Sequence, residues 1–241
     1  MTGIFDSGSG GLFTTRILHR LVPDEPLVFL ADREHAPYGT RTRCDIIKLA
    51  EANIKRLYAA GCERILVACC TASAVHSSLI PELRDISIPI LIPTAEHAKR
   101  LTKSGNVAVI ATEATVSSHL FGEVLEGSGI RATELGAQAL VRMVDEGGGR
   151  LGEGSRTYIE DIARRVAATE ADTLVLGCTH CHAAREMLVS AFNEINKEIF
   201  IVSSAEVGAE VARDEIYAAR AAKGKEKTKW ESTEEIGSMT P

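Results

Sequence analysis

The sequence predicts an α/β fold made of two similar parallel-sheet lobes, with the active site in the cleft between them. Three observations carry this expectation. Short, continuously apolar runs alternate with stretches of helical period along the chain, as parallel strands covered on both faces require. The stretch Ile65-Leu66-Val67-Ala68-Cys69-Cys70-Thr71-Ala72-Ser73 is echoed by Thr173-Leu174-Val175-Leu176-Gly177-Cys178-Thr179-His180. Each reads as an apolar strand, a small residue, then a cysteine and a threonine ahead of a helix. Finally, the two stretches lie about one small domain apart.

Taken in order, strand-like runs occupy residues 3–5, 26–30, 65–68, 88–92, 107–110, 173–176 and 199–202. Between them, Ile46, Ile47, Ala50, Ile54, Leu57 and Tyr58 share one helical face, and Gly61 suits the position just past a helix end. Ile159, Ile162, Ala163 and Val166 repeat that pattern in the second half. Thr94 and Thr115 stand where an N-cap would open a helix. The first lobe is expected over residues 1–93 together with a returning C-terminal helix at about 205–224. The second lobe is expected over 94–204, with a frayed tail over 225–241.

Bulk properties narrow the function. The 241 residues carry a formal net charge of −6, an apolar share of 45% and a mean hydropathy of +0.03. That balance does not suit a nucleic-acid binder, which needs a concentrated basic face. The basic cluster between Arg220 and Lys229 is broken by Glu226 and reads as a solvated helix end. No apolar run approaches the ~20 residues that span a bilayer. The N-terminal residues have neither the basic region nor the apolar stretch of a signal peptide. Six cysteines are too few for a disulfide-built scaffold in a chain this long, so reduced thiols and a cytoplasmic location fit best.

Chemistry concentrates at the strand ends. Asp6-Ser7-Gly8-Ser9-Gly10-Gly11 follows the first strand and presents backbone N–H groups that favour an anion, phosphate or carboxylate. It has neither the P-loop order nor the dinucleotide spacing, so a plain strand-to-helix turn is an equal reading. Asp6 itself would face the cleft. Thiolates are strong bases, and helix starts and cationic neighbours favour them. Cys69 and Cys178 both precede candidate helices; His180 is placed to assist Cys178, and Asp6 to assist Cys69. A lone cysteine after a buried strand is more often a packed small hydrophobe. Two at matching places in two lobes favour function. Cys44 and Cys62 read as structural thiols. His19, His35, His76, His97 and His119 read as surface or helix-face residues, and His182 as either second-layer or helix-face.

The motifs Phe5-Asp6-Ser7-Gly8-Ser9-Gly10-Gly11, Pro37-Tyr38-Gly39, Ala68-Cys69-Cys70-Thr71-Ala72-Ser73 and Gly177-Cys178-Thr179-His180 resemble those of glutamate racemases in order and spacing. That family belongs to the aspartate/glutamate racemase superfamily, and the likeness runs from residue 3 to about 205. It implies cofactor-independent racemisation of L- and D-glutamate by a two-thiol, two-base proton transfer, supplying D-glutamate for peptidoglycan. It implies Cys69 and Cys178 as catalytic acid/bases assisted by Asp6 and His180. It further implies substrate binding by Asp6, Ser7, Pro37, Tyr38, Gly39, Thr71, Thr179 and His180, with Cys70 at the place of a binding residue. Thr112 and Thr115 match threonines near the substrate carboxylate, and Asp145 stands where the family carries a glutamate. The resemblance implies neither pyridoxal phosphate nor a nicotinamide, and allows a homodimer for which no segment specifies an interface.

Three departures bear on the substrate. The family asparagine after the first catalytic cysteine is Cys70 here, which removes an amide. Cys181 and His182 replace a tyrosine and a proline, and the C-terminal end reads as short. Cys70 keeps open racemisation of aspartate, or a related isomerisation or decarboxylation. A binding lobe without turnover is open if Cys70 and Asp145 disarm the site. From another class, Cys178, His180, Cys181 and His182, with Cys69 and Cys70, are the residue types of a metal or redox site.

Overall fold

The computed structural model describes residues 1–237, and among these every side chain except those of Glu153 and residues 223–237. The first sheet holds β1 (Thr2–Asp6), β2 (Leu27–Ala31), β3 (Arg64–Val67) and β4 (Ser87–Pro89) in the order β2-β1-β3-β4. The second holds β5 (Asn106–Ala111), β6 (Arg131–Gly136), β7 (Thr173–Leu176) and β8 (Phe200–Ser203) in the order β6-β5-β7-β8. All the pairings are parallel. The second order is the first one repeated, so β3 and β7, the strands before Cys69 and Cys178, are equivalent. The chain is thus a two-lobed α/β protein.

Helices connect the strands: α1 (Gly11–Leu21), α2 (Arg43–Ala59), α3 (Cys70–Ser73), α4 (Pro81–Asp85) and α5 (Leu91–Leu101), then α6 (Glu113–Ser118) and α7 (Leu120–Glu126). They are followed by α8 (Gln138–Glu146), α9 (Arg156–Ala167), α10 (Arg185–Glu194) and α11 (Ser204–Gly237). Successive strand residues face opposite layers. Phe5, Ile65 and Val67 pack with Ile46, Ile54 and Leu57 of α2 on one side of the first sheet. Ile4 and Leu66 pack with Leu18 of α1 and Ala209, Ala212 and Ile216 of α11 on the other. In the second sheet Ala108, Ile110 and Leu174 meet α8, α9 and α10, while Val107, Val109 and Val175 meet α5 and α7. Two covered faces explain why these strands read as unbroken apolar runs.

Local signals set the element ends. Thr42 caps α2 by accepting from the Asp45 N–H at 3.2 Å. At the other end Gly61 has φ +90, a left-handed conformation that favours glycine. Its N–H reaches the Tyr58 carbonyl at 2.9 Å and the Cys62 N–H that of Leu57 at 3.1 Å, a Schellman motif.

Several boundaries differ from the sequence reading. The strand expected over 88–92 ends at Pro89, and Leu91 already begins α5. Its buried Leu91, Thr94, Ala95 and Ala98 recur with helical spacing, so burial along one helix face prevails over β-branched composition. Thr94 is no cap: its hydroxyl donates to the Ile90 carbonyl within the helix at 2.6 Å. Thr112, not Thr115, caps α6, accepting from the Thr115 N–H at 3.3 Å. β6 was not foreseen, because an edge strand of sequence RATELG is half-exposed and polar. The last helix, α11, crosses back onto α1, where Tyr217 donates to the Leu21 carbonyl and Arg220 meets Glu25 at 2.9 Å. The tail expected over 225–241 lies outside the described side chains, and 238–241 lie outside the description altogether. Among the described residues no helix is long and apolar enough to cross a membrane.

Candidate active site

The central strands of both sheets aim their carboxyl ends at one place, where ligands of open α/β sheets bind. β1 ends in Asp6, and Cys69 follows β3. Thr112 follows β5, and Cys178 follows β7. Ser7, Pro37, Tyr38, Gly39, Cys69, Thr71, Thr112, Asp145, Cys178, Thr179 and His180 line one narrow cavity of ≈ 20 Å³, together with Gly8, Ala36, Gln138 and Val141. That volume holds about one water.

Each thiol has its own partners. Cys69 Sγ lies 3.2 Å from Ser7 Oγ. Cys178 Sγ lies 3.6 Å from His180 Nδ1, whose Nε2 is 2.9 Å from Asp145 Oδ1. Ser9 donates to the same carboxylate oxygen at 2.7 Å. Asp6 ties the lobes together: its Oδ1 accepts from the Gly8 N–H at 2.8 Å and its Oδ2 from the Thr179 hydroxyl at 3.0 Å. Thr71 of the first lobe forms a hydroxyl triangle with Thr112 and Thr115 of the second, with edges of 2.9, 3.1 and 2.9 Å.

The electrostatics follow from burial and from these partners. Burial, then the charge of Asp6, pushes the Cys69 thiol up to about 12, against the Ser7 bond that favours the thiolate. The Cys181 thiol and burial raise Cys178, while His180 pulls the other way. Burial opposes a charge on His180, yet Asp145, Cys178 and Asp6 together hold it well above the usual imidazole range. Burial also raises Asp6, although His180, Gly8 and Thr179 favour its ionised form. For Asp145, burial is outweighed by His180 and Ser9, which keep it below the usual carboxylate range.

Some sequence expectations need correction. Cys70 does not reach the cavity; it is buried with Ile4, Leu66, Ile90 and Ala209 on the far side of the first sheet, because the first turn of α3 rotates it away from Cys69. The helix starts expected to favour the thiolates are short. α3 is one turn, and Cys178 precedes a 3₁₀ segment, Thr179–Ala184. Tyr38 lines the cavity, but its hydroxyl is engaged within the first lobe, donating to Asp32 and receiving the Asn53 amide at 3.1 Å. Asp6 and Thr115 are fully buried and do not line the cavity; Asp6 is bonded by Gly8 and Thr179 behind the lining, and the side chain bonded to Cys69 is Ser7. The residue set of the metal reading does not converge: Cys178 has His180 and Cys181 beside it, but Cys70 is on the far side of the first sheet. Cys181 is in the core beside Leu188, and His182 packs at a tilt against Phe13 and bonds Ser203. Among the described residues no three His, Cys, Asp or Glu side chains gather as metal ligands.

Ala36 and Gln138 line the cavity outside every motif, and Val141 lies in the segment that carries Asp145. Gln138 and Val141 share one face of α8 with Asp145 at spacings of three and four, the signal that would have found Gln138.

Comparison with known proteins adds an independent line. A family model described as Asp/Glu/Hydantoin racemase matches residues 10–212. The glutamate racemase of Deinococcus radiodurans is 37% identical over 182 residues, which cover 74% of this chain and 62% of that protein, under two thirds of its length. That of Lactobacillus acidophilus is 36% identical over 213 residues, covering 85% of this chain and 76% of that protein. The crystal structure of Escherichia coli glutamate racemase in complex with L-glutamate and the activator UDP-MurNAc-ala superposes with a TM-score of 0.70 at 26% identity, covering 88% of this chain and 80% of that one. With a family model matched over most of its length, and with the two-lobed fold and the paired strand-end thiols in place, the chain belongs to the Asp/Glu/hydantoin racemase family.

Proposed function

We propose that this protein interconverts L- and D-glutamate without a cofactor, passing the α-proton between Cys69 and Cys178. One observation carries the reading: two buried thiols follow equivalent strands of two like sheets and line a single cavity. A thiolate on one side takes the α-proton, so that a C–H bond breaks and an S–H bond forms. The opposite thiol then gives its proton to the other face of the carbanion and is left as thiolate. The product is the mirror-image amino acid, and the reverse reaction exchanges the two roles.

The surrounding groups divide the remaining work. Asp145 lines the cavity and the buried Asp6, bonded to the lining residues Gly8 and Thr179, adds a second negative charge behind it, so this side suits the substrate ammonium. No lysine or arginine lines the cavity among the described residues, so carboxylates are met by neutral donors, chiefly Ser7, Thr71, Thr112 and Thr179. His180 exchanges a proton with Cys178 and is oriented by Asp145. The ≈ 20 Å³ cavity is far too small for an amino acid, so the lobes part to admit it and close to exclude water. The lobes are taken as residues 1–93 with 205–224 and residues 94–204, a division supported by the packing of α11 on α1. The six cysteines are free, in keeping with a reducing cytoplasm, and D-glutamate would serve peptidoglycan synthesis.

Incubating the protein separately with L- and D-glutamate and with L- and D-aspartate, and following optical activity, tests the reading. Glutamate is expected to lose its optical activity from either side; turnover of aspartate alone would transfer the proposal to that substrate. The pH dependence gives a second check. Because Cys69 and Cys178 are both held protonated near neutrality, the thiolate fraction grows as pH rises. kcat/KM is therefore expected to rise about tenfold per pH unit from about pH 6 to 8. A flat or falling profile over that range contradicts a thiol base.

A further inference from the structure

Gln138 opens α8 one residue after β6 ends, and it is only 9% exposed. Its Oε1 and Nε2 are both buried, and neither has a hydrogen-bond partner in the protein. A buried amide left unpaired is unfavourable, and natural proteins keep few of them without a functional reason. This one lines the same cavity as Cys69, Cys178, Thr71 and Thr112. It rests over the backbone of Gly39: a Cβ at that position would stand 2.6 Å from Gln138 Oε1 and 2.8 Å from Thr112 Cβ. Gly39 thus leaves the space that lets an amide from the second lobe reach the first.

Gln138 lies at the hydroxyl side of the cavity, near Thr112, whereas Asp145 and His180 stand beside Gly8 at the acidic side. An amide N–H on the hydroxyl side is matched to a carboxylate, which accepts hydrogen bonds only. No other side-chain amide lines the cavity among the described residues, and Cys70, which stands where the resembled family has an asparagine, faces the core instead. We propose that Gln138 is a substrate-binding residue of this chain, donating its amide N–H to a carboxylate of the bound amino acid from α8, a helix of the opposite lobe to Cys70. The inference rests on the amino-acid racemase reading and deepens it by assigning the amide donor.

Two variants test it. Gln138→Leu keeps the bulk and removes the amide, and Gln138→Glu keeps the shape but places a carboxylate against the substrate carboxylate. Both are expected to raise KM for glutamate roughly tenfold or more, the range of a lost hydrogen bond to a charged group, with kcat changing less. Gln138→Glu should be the weaker binder. Because the amide has no protein partner to lose, Gln138→Leu is also expected to keep or raise the thermal midpoint. Titration calorimetry with D-glutamate, which needs no turnover, should show the same order of affinities. A KM within about twofold of the parent for Gln138→Leu, or a lowered thermal midpoint showing that the amide serves the fold, overturns the assignment and leaves the racemase reading standing. A parent protein that neither binds nor converts glutamate or aspartate removes both.

Discussion

Cys69→Ser is expected to lower the racemisation rate by about 10² to 10⁴-fold, and Cys178→Ser to do the same, the span a positioned acid or base contributes. Serine keeps nearly the shape of cysteine, and the Ser7 hydroxyl 3.2 Å from Cys69 Sγ can bond either side chain. The fold should therefore survive while the base is lost, since an alcohol is a far weaker acid than a thiol. The two enantiomers have equal free energy, so kcat/KM must fall equally in both directions whichever thiol is removed. Polarimetric assays from both directions read this, with far-UV circular dichroism confirming the fold. Full activity in either variant would leave the two-thiol account without a foundation.

Asp6→Asn is expected to move activity and stability in opposite directions. Asp6 is fully buried, and burial raises its carboxyl above the ordinary value despite the nearby His180 and the bonds from Gly8 and Thr179. A raised carboxyl means that the folded state holds the ionised form at a cost near neutral pH, and that this cost disappears as pH falls toward the ordinary value of 3.8. Asparagine has nearly the same shape and removes the charge. The variant should gain thermal stability at pH 7, and the gain should fade as the pH is lowered toward 3.8. Its activity should drop about tenfold, since the buried charge that favours a protonated His180 and a substrate ammonium is lost. Parallel melting curves and rates across pH read both effects. A variant that is less stable at pH 7 and fully active would show that Asp6 serves the lobe contact alone.

Particular residues show how far the chain announces this architecture. Ile4 and Phe5, or Val109 and Ile110, alternate between two covered layers, so the apolar runs identify parallel strands without any knowledge of their partners. The Cys69 and Cys178 stretches reveal the repeat because each must solve the same problem of turning a strand into a helix beside a cleft. β6 escaped because an edge strand with a half-exposed face needs little apolar content. Residues 90–92 misled because β-branched residues at a helix start read locally as strand, and only the buried spacing through Ala98 distinguishes them. In the site, residues in motifs were legible and single residues were not. Cys70 is adjacent to Cys69 but faces the opposite layer, a matter of one helical step. Gln138 belongs to no motif, and its significance lies in having no partner, which sequence cannot express.

The two-thiol transfer is tested most directly by running the reaction in deuterium oxide and analysing both enantiomers early, before appreciable reversal. If one thiol removes the α-proton and the other, equilibrated with solvent, returns a deuteron from the opposite face, the newly formed enantiomer carries deuterium at Cα while the unreacted one keeps its proton. Product that retains the original proton, or deuterium entering recovered substrate as fast as product, would indicate a single base and contradict the assignment of Cys69 and Cys178 to opposite faces.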